Sequence, residues 1–208
     1  MGILCLGDSI TEGYGLQKEE AYPALLEREL NQSIVHDFLS IKVIVINGGS
    51  SGSTAASGPA RLKWYTKSQP TVLFLALGAN DGLRGQSIEN TKANLIKTIR
   101  AAKKSKMAVW LAGMQMPPNY GAKYTEAFKR MYLDVARQEK VDLYPFLLEG
   151  VALHPELLQP DGIHPNALGQ QAIANHLAPF FKQNLTVYLK SVRKKPETKM
   201  ISKKKAKK

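Results

Sequence analysis

Short apolar runs alternate with longer amphipathic stretches along most of this chain of 208 residues. The apolar runs have the length and β-branched character of buried strands, and they lie at residues 3–6, 41–46, 72–77, 107–111 and 141–143. The longer stretches have helical periodicity, at residues 24–31, 54–64, 88–104, 124–138 and 167–182. Strands that are apolar throughout suit a parallel sheet covered on both faces. The pattern therefore predicts an α/β fold, a three-layer α/β/α sandwich with a five-stranded parallel sheet.

The formal net charge of +12 is concentrated at the carboxyl end. Residues 190–208 contain ten Lys or Arg and one acidic residue, whereas the rest of the chain carries 19 basic and 16 acidic residues. We therefore expect one domain, residues 1–185, followed by a basic, flexible tail, residues 186–208. The tail lysines are candidates for contact with anionic surfaces, but the nearly neutral body does not predict nucleic-acid binding.

The apolar runs also bear on location. None reaches the roughly 20 residues of a membrane-spanning helix. The first residues lack the features of a signal peptide, so we expect a cytoplasmic protein, or a periplasmic or secreted one if the chain is a mature form. The single cysteine, Cys5, lies in the first apolar run, which predicts a buried side chain rather than a catalytic thiol.

A candidate nucleophile follows the first predicted strand. Ser9 lies in the segment Gly7-Asp8-Ser9, at a strand-to-helix turn that would expose its hydroxyl at the carboxyl edge of the sheet. The same residues would also serve as an ordinary helix cap. A competing serine, Ser50, lies in a Gly-x-Ser-x-Gly pattern at residues 48–52. That pattern normally comes after several strands, and only one clear strand precedes the run at 41–46, so Ser9 is preferred.

A serine nucleophile needs a base, and the chain has four histidines: His36, His154, His164 and His176. His164 has a carboxylate three residues upstream, Asp161, whereas His154 has an apolar residue at that position. A carboxylate at this spacing can accept the Nδ1 proton and leave Nε2 free to act as base. The alternative is a simple turn in which Asp161 bonds the local backbone.

Acyl transfer also requires donors for the developing oxyanion. Gly52 can supply a backbone amide and Asn80 a side-chain amide, although both lie in loops whose residues are common in ordinary turns. The histidines lack metal-ligand spacing and the glycine motifs of nucleotide sites do not occur, so the sequence predicts no cofactor and no metal.

Taken in order, these residues resemble the four blocks of the SGNH or GDSL hydrolase superfamily: Gly7-Asp8-Ser9, Gly52, Gly78-x-Asn80-Asp81 and Asp161-x-x-His164. Residues 77–85 and 114–128 are similar to its bacterial arylesterase, thioesterase I and lysophospholipase L1 branch, and the resemblance extends over residues 3–181. It implies a flavodoxin-like fold and a serine esterase for carboxylic esters or thioesters. It also implies that Ser9 is the nucleophile, His164 the base and Asp161 its orienter, with the Ser9 and Gly52 amides and the Asn80 side chain as oxyanion hole.

The substrate pocket is less specified than the reacting centre. The segments around Leu83 and Arg84, and around Met116 and Pro118, are expected to form its walls. We expect a small acyl ester or thioester as substrate. The sequence predicts neither the length of the acyl chain nor the oligomeric state of the protein. Two other functions stay open: a carbohydrate O-acetyl esterase using the same site, and a non-catalytic binding module on the same fold.

Overall fold

A computed structural model describes residues 1–37 and 41–193 of the chain. Its elements, in chain order, are β1 (Gly2–Gly7), α1 (Ser9–Glu12), α2 (Tyr22–Asp37), β2 (Ile44–Gly48), α3 (Gly58–Tyr65), β3 (Val72–Ala76), α4 (Ala79–Leu83), α5 (Ile88–Lys104), β4 (Ala108–Ala112), α6 (Ala122–Glu139), β5 (Asp142–Tyr144) and α7 (Ala167–Arg193). Every predicted strand and helix overlaps an observed one. The short helices α1 and α4 are additions.

The five strands form one parallel sheet in the order β2-β1-β3-β4-β5. The central strand β3 is buried at every residue, and β1 at all but its first, which is why their sequences are apolar without alternation. The predicted three-layer α/β class is confirmed. The strand β2 lies on one side of β1, whereas β3, β4 and β5 follow on the other side. The switch point therefore lies between β1 and β3, and folds of this kind bind their ligands there, beyond the carboxyl ends of the strands.

Two groups of helices cover the sheet. The helices α2 and α7 pack together, and α3, α5 and α6 form a separate row in which each contacts the next. On α7, the ring of Phe181 lies edge-on to Phe74 of β3 and to Trp110 of β4, with centroids 4.9 and 5.0 Å apart. This packing fixes α7 against the sheet, and with it the segment that immediately precedes the helix.

The strand β2 begins later than the sequence predicts, at Ile44 instead of residue 41. Val43 is buried, but its amide donates to the Asn31 side chain at 3.0 Å and its carbonyl accepts from the same side chain at 2.9 Å. Its backbone groups are therefore bonded to a side chain of α2 instead of to a neighbouring strand.

The helix α7 continues to Arg193, past the domain end predicted at residue 185. Half-buried side chains continue as far as Leu189, and the Thr186 hydroxyl donates to the Lys182 carbonyl at 2.8 Å. The rest of the predicted basic tail, from residue 194, lies outside the described residues, so the tail and its boundary stay predictions. Among the residues that the structure describes, no helix has the length and hydropathy needed to cross a membrane.

Candidate active site

The turn between β1 and α1 places Ser9 at the carboxyl edge of the sheet. Asp8 caps the short helix, because its side chain accepts from the Ile10 amide at 3.1 Å. At residue 7 a Cβ would overlap the Thr11 hydroxyl, so only glycine permits so tight a turn. The Ser9 side chain is half-buried at this corner.

His164 and Asp161 meet Ser9 from the opposite end of the chain. The His164 Nε2 atom lies 2.9 Å from Ser9 Oγ, and Nδ1 lies 2.6 Å from Asp161 Oδ2. The other carboxylate oxygen of Asp161 accepts from the amides of Ile163 and His164, both at 2.9 Å. One carboxylate therefore orients the imidazole ring and also fixes the loop that carries it. The structure brings together the three residues that the sequence proposes as a triad.

Two carboxyl groups flank Ser9, and their pKa values shift in opposite directions. Desolvation alone would raise the pKa of Asp161, but hydrogen bonds from the amide and ring of His164 and from the Ile163 amide outweigh it and lower that pKa to about 2. Burial raises the pKa of Asp8 to about 6, and its Oδ2 is buried without a hydrogen-bond partner among the described residues. Asp161 is thus anionic at neutral pH, whereas Asp8 titrates close to it.

Two of the three proposed oxyanion donors, the Gly52 amide and the Asn80 side chain, lie on segments that are bonded to each other. Asn80, just beyond β3, donates from Nδ2 to the Ser53 carbonyl at 3.1 Å. The neighbouring Asp81 is buried and accepts from the Ala55 amide at 2.8 Å. Gly52 has a φ of 73°, a conformation that favours glycine. These contacts fix the Gly52 loop beside the Asn80 side chain.

A cavity of about 500 Å³ opens beside Ser9, His164 and Asn80. Three of the four predicted wall residues line it: Leu83, Met116 and Pro118. Arg84 lies outside the lining, and its guanidinium donates to the Gly52 carbonyl at 3.2 Å. Met114, in the predicted wall segment, also lines the cavity. The lining includes further apolar residues that the sequence did not suggest, among them Phe146, Leu148, Leu153, Leu158 and Ile163. These five lie between β5 and α7, where several apolar residues in an irregular segment were the available signal.

Two further residues at the site carried no motif. The ring of Tyr14 lies 4.7 Å, centroid to centroid, from that of His164. Arg61, on α3, donates to the Gly7 carbonyl at 2.8 Å and also bonds the Gly48 carbonyl, so it joins the ends of β1 and β2. An arginine on the inward face of a helix was the one signal for this contact.

The competing candidates lie elsewhere. Ser50 is exposed, and its amide donates to a carbonyl at the end of β1. The Nδ1 atom of His154 pairs with an exposed glutamate at 3.1 Å, and that of His176 is 3.0 Å from a backbone carbonyl. The side chain of His36 lies outside the described residues. Among the histidines whose side chains the structure describes, His164 is the one that faces Ser9.

The Cys5 thiol and the carboxylates of the described residues suggest no second centre. Cys5 is fully buried in β1, which confirms the packing role predicted for it, and burial raises the pKa of its thiol. Within residues 1–37 and 41–193, no group of three or more His, Cys, Asp or Glu side chains is arranged to hold a metal ion.

A serine hydroxyl, an imidazole and a carboxylate joined by hydrogen bonds, beside an apolar cavity at the switch point of a parallel sheet, form the arrangement of a serine hydrolase that acts on acyl groups. The comparison with known families agrees with this class. The chain belongs to the GDSL-like Lipase/Acylhydrolase family, whose model matches residues 5–172.

Individual relatives confirm the predicted branch. The chain is 41% identical over 150 residues to Esterase TesA of Pseudomonas aeruginosa, covering 72% of each protein. It is 38% identical over 177 residues to Thioesterase 1/protease 1/lysophospholipase L1 of Escherichia coli, covering 85% of this chain and 81% of that one. A crystal structure of the psychrotrophic esterase EstA from Pseudoalteromonas sp., inhibited by monoethylphosphonate, superposes with a TM-score of 0.81 at 30% identity, covering 89% of this chain and 98% of that one.

Proposed function

We propose that this protein is a serine esterase that hydrolyses carboxylic esters or thioesters through an acyl-enzyme on Ser9. The observation that carries the proposal is the series of hydrogen bonds from Ser9 Oγ to His164 Nε2 (2.9 Å) and from His164 Nδ1 to Asp161 (2.6 Å). The names of the relatives, which include esterase, thioesterase and lysophospholipase, support the same substrate class.

The first half-reaction forms the acyl-enzyme. Ser9 Oγ attacks the carbonyl carbon while His164 Nε2 takes the hydroxyl proton. The anionic Asp161 stabilises the imidazolium that results, and its pKa of about 2 keeps it ionised throughout the neutral range. The proton then passes from His164 to the departing alcohol or thiol. In the second half-reaction water attacks the acyl group in the same way and releases a carboxylic acid.

The oxyanion formed in each step needs donors that are already in place. The Asn80 side-chain amide has two N–H groups, and one of them donates to the Ser53 carbonyl. The second N–H is available for the oxyanion, together with the backbone amides of Ser9 and Gly52. Arg84 donates to the Gly52 carbonyl, which belongs to the peptide after the Gly52 amide, so this bond restrains the loop directly beside the donor.

The walls of the cavity favour an acyl chain over a sugar. Leucine, methionine, isoleucine, phenylalanine and proline side chains make up most of the lining, and a volume of about 500 Å³ is that of a small-molecule site. A carbohydrate O-acetyl esterase would need more polar groups to bind its sugar. The complete hydrogen-bonded series at Ser9 favours catalysis over a binding module.

The proposal can be tested with the purified protein, p-nitrophenyl esters and acyl-CoA thioesters. Replacing Ser9 by Ala should lower kcat by more than about 10³-fold for both substrate types, since it removes the nucleophile. Ser50→Ala is the matched control and should retain activity, because Ser50 faces no histidine in the described structure. Hydrolysis that persists in Ser9→Ala would overturn the assignment.

A further inference from the structure

Four aromatic side chains follow one another at intervals of four residues along α6 and the turn before it. They are Tyr120, Tyr124, Phe128 and Tyr132. Successive rings lie 6.4, 6.1 and 5.5 Å apart, centroid to centroid. Residues four apart share one helix face, so the four rings form a continuous aromatic column.

The aromatic column lies against residues 77–86, which include α4 and are called here the Asn80 segment. Each of the three tyrosine hydroxyls donates to backbone carbonyls of this segment. Tyr132 donates to Leu77 at 3.0 Å and Tyr120 to Leu83 at 3.0 Å. The single hydroxyl proton of Tyr124 is shared between the carbonyls of Gly82 at 3.3 Å and Gln86 at 3.2 Å. Side chains of α6 and of the turn before it thus bond the start, middle and end of the segment.

The backbone of the Asn80 segment approaches the column so closely that side chains do not fit between them. At Gly78, whose φ is 118°, a Cβ would overlap the Tyr132 hydroxyl. At Gly82 a Cβ would overlap Met116 and would lie 2.9 Å from the Phe128 ring. Glycine at these two positions lets the segment rest directly on the column.

The column divides into two parts according to what lies opposite. Tyr132 is fully buried and bonds the segment at its start, before Asn80. Tyr120 and Tyr124 are half-buried and bond the far end, around Leu83, whose side chain lines the cavity beside Ser9. The first part therefore supports the oxyanion donor, and the second part supports a wall of the cavity.

We propose that Tyr120 and Tyr124 are positioning residues that determine acyl-chain specificity, because their hydroxyls hold the cavity wall at Leu83. The proposal rests on the esterase function and extends it to named residues outside the reacting centre. Without these bonds the carbonyls around Leu83 exchange their partner for water, and the wall is no longer held at one distance from the acyl chain. The consequence depends on how far a chain reaches into the cavity.

The test uses the full chain carrying Tyr120→Phe, Tyr124→Phe or both, which remove the hydroxyls and keep the rings. We expect kcat/KM to fall mainly through a rise in KM, and the fall should grow from acetate to decanoate esters, reaching about 2- to 10-fold for one lost hydrogen bond. Tyr132→Phe should instead lower kcat by a similar factor for every ester. Tyr65→Phe, on α3 outside the cavity, is the control for tyrosine replacement in general.

Two outcomes would overturn the proposal: an unchanged chain-length profile in the double variant, or an equal loss for all esters. Thermal unfolding of each variant checks that the fold is kept.

A second measurement separates this proposal from the esterase function. Fatty acids of the same chain lengths, titrated calorimetrically into Ser9→Ala with and without the two tyrosine changes, report on the wall without catalysis. If the tyrosine changes alter fatty-acid binding while the wild-type protein hydrolyses no ester, the wall is sustained and the esterase function is rejected. Unaltered binding would reject the wall.

Discussion

The two segments that meet at Ser9 are held in different ways. Residues 159–165, which carry Asp161 and His164, are bonded mainly to themselves: the Gln159 amide donates to the His164 carbonyl at 2.7 Å, and Asp161 accepts from amides two and three residues ahead. The Asn80 segment is bonded to residues far away in the chain, on the Gly52 loop and on α6. The first is a local turn, and the second depends on the assembled fold.

The carboxylates of the two segments show the same contrast. Asp161 is partly exposed, and local hydrogen bonds lower its pKa to about 2, although desolvation acts in the opposite direction. Asp81 is buried, and desolvation raises its pKa although the Ala55 amide bonds it. A carboxylate built into a local turn is stabilised as an anion, whereas one that links distant loops bears the cost of burial.

A substitution of Asp161, in the local segment of residues 159–165, should have the largest effect on kcat. Asp161→Asn keeps the size of the side chain but lets the imidazole adopt the wrong tautomer, so kcat should fall by about 10³- to 10⁴-fold. Steady-state kinetics on a p-nitrophenyl ester measures the change, and circular dichroism checks the fold. A loss below about tenfold would mean that Asp161 does not orient His164 for catalysis.

A substitution of Asn80, in the segment that is held by long-range contacts, should have a smaller effect on kcat. Asn80→Ala removes one proposed oxyanion donor and the bond to Ser53, which should lower kcat by about 10²- to 10³-fold with little change in KM. Asn175→Ala, at an exposed asparagine on α7, is the matched control. Turnover within a factor of two of the wild type would remove Asn80 from the oxyanion hole.

The turn between β1 and α1, which carries Asp8 next to Ser9, provides a test of stability. Asp8 has a folded-state pKa of about 6, raised from 3.8 by burial, so the folded protein binds this proton more tightly than the unfolded chain. Its contribution to the free energy of unfolding therefore falls as pH rises from about 4 to 6. Asp8→Asn does not titrate and can still cap α1 with its carbonyl oxygen. The free energy of unfolding of this variant, measured in urea, should therefore gain about 1–3 kcal/mol over that of the wild type as the pH rises from about 4 to 6. A difference between the two proteins that does not change with pH would contradict the raised pKa of Asp8.

The smallest effect is expected at Arg84, which joins the Asn80 segment to the Gly52 loop at the surface. Arg84→Met removes the bond to the Gly52 carbonyl, which is exposed to water, so kcat/KM should fall by about 2- to 10-fold. If Arg84 instead acts as a pocket wall, as the sequence suggests, Met should keep the activity and alter the preferred acyl chain. The ester series separates these two results.

The same contrast explains what could be predicted from the sequence. Ser9 follows an apolar strand, and Asp161 lies three residues before His164, so spacing alone indicates that these side chains can be brought into position. The side chain of Arg84 could not be placed, since an exposed residue carries no periodic signal for its direction. The four-residue spacing of the aromatic rings on α6 and the turn before it is visible in the sequence, but the carbonyls that the three tyrosine hydroxyls bond lie 37 to 55 residues earlier in the chain.

The proposed mechanism depends most on Ser9 being the nucleophile, and covalent labelling tests this directly. The protein is treated with a fluorophosphonate, digested, and analysed by tandem mass spectrometry. We expect one adduct, on the peptide that contains Ser9, and none in the Ser9→Ala protein. An adduct on Ser50, or labelling that persists in Ser9→Ala, would contradict the assignment.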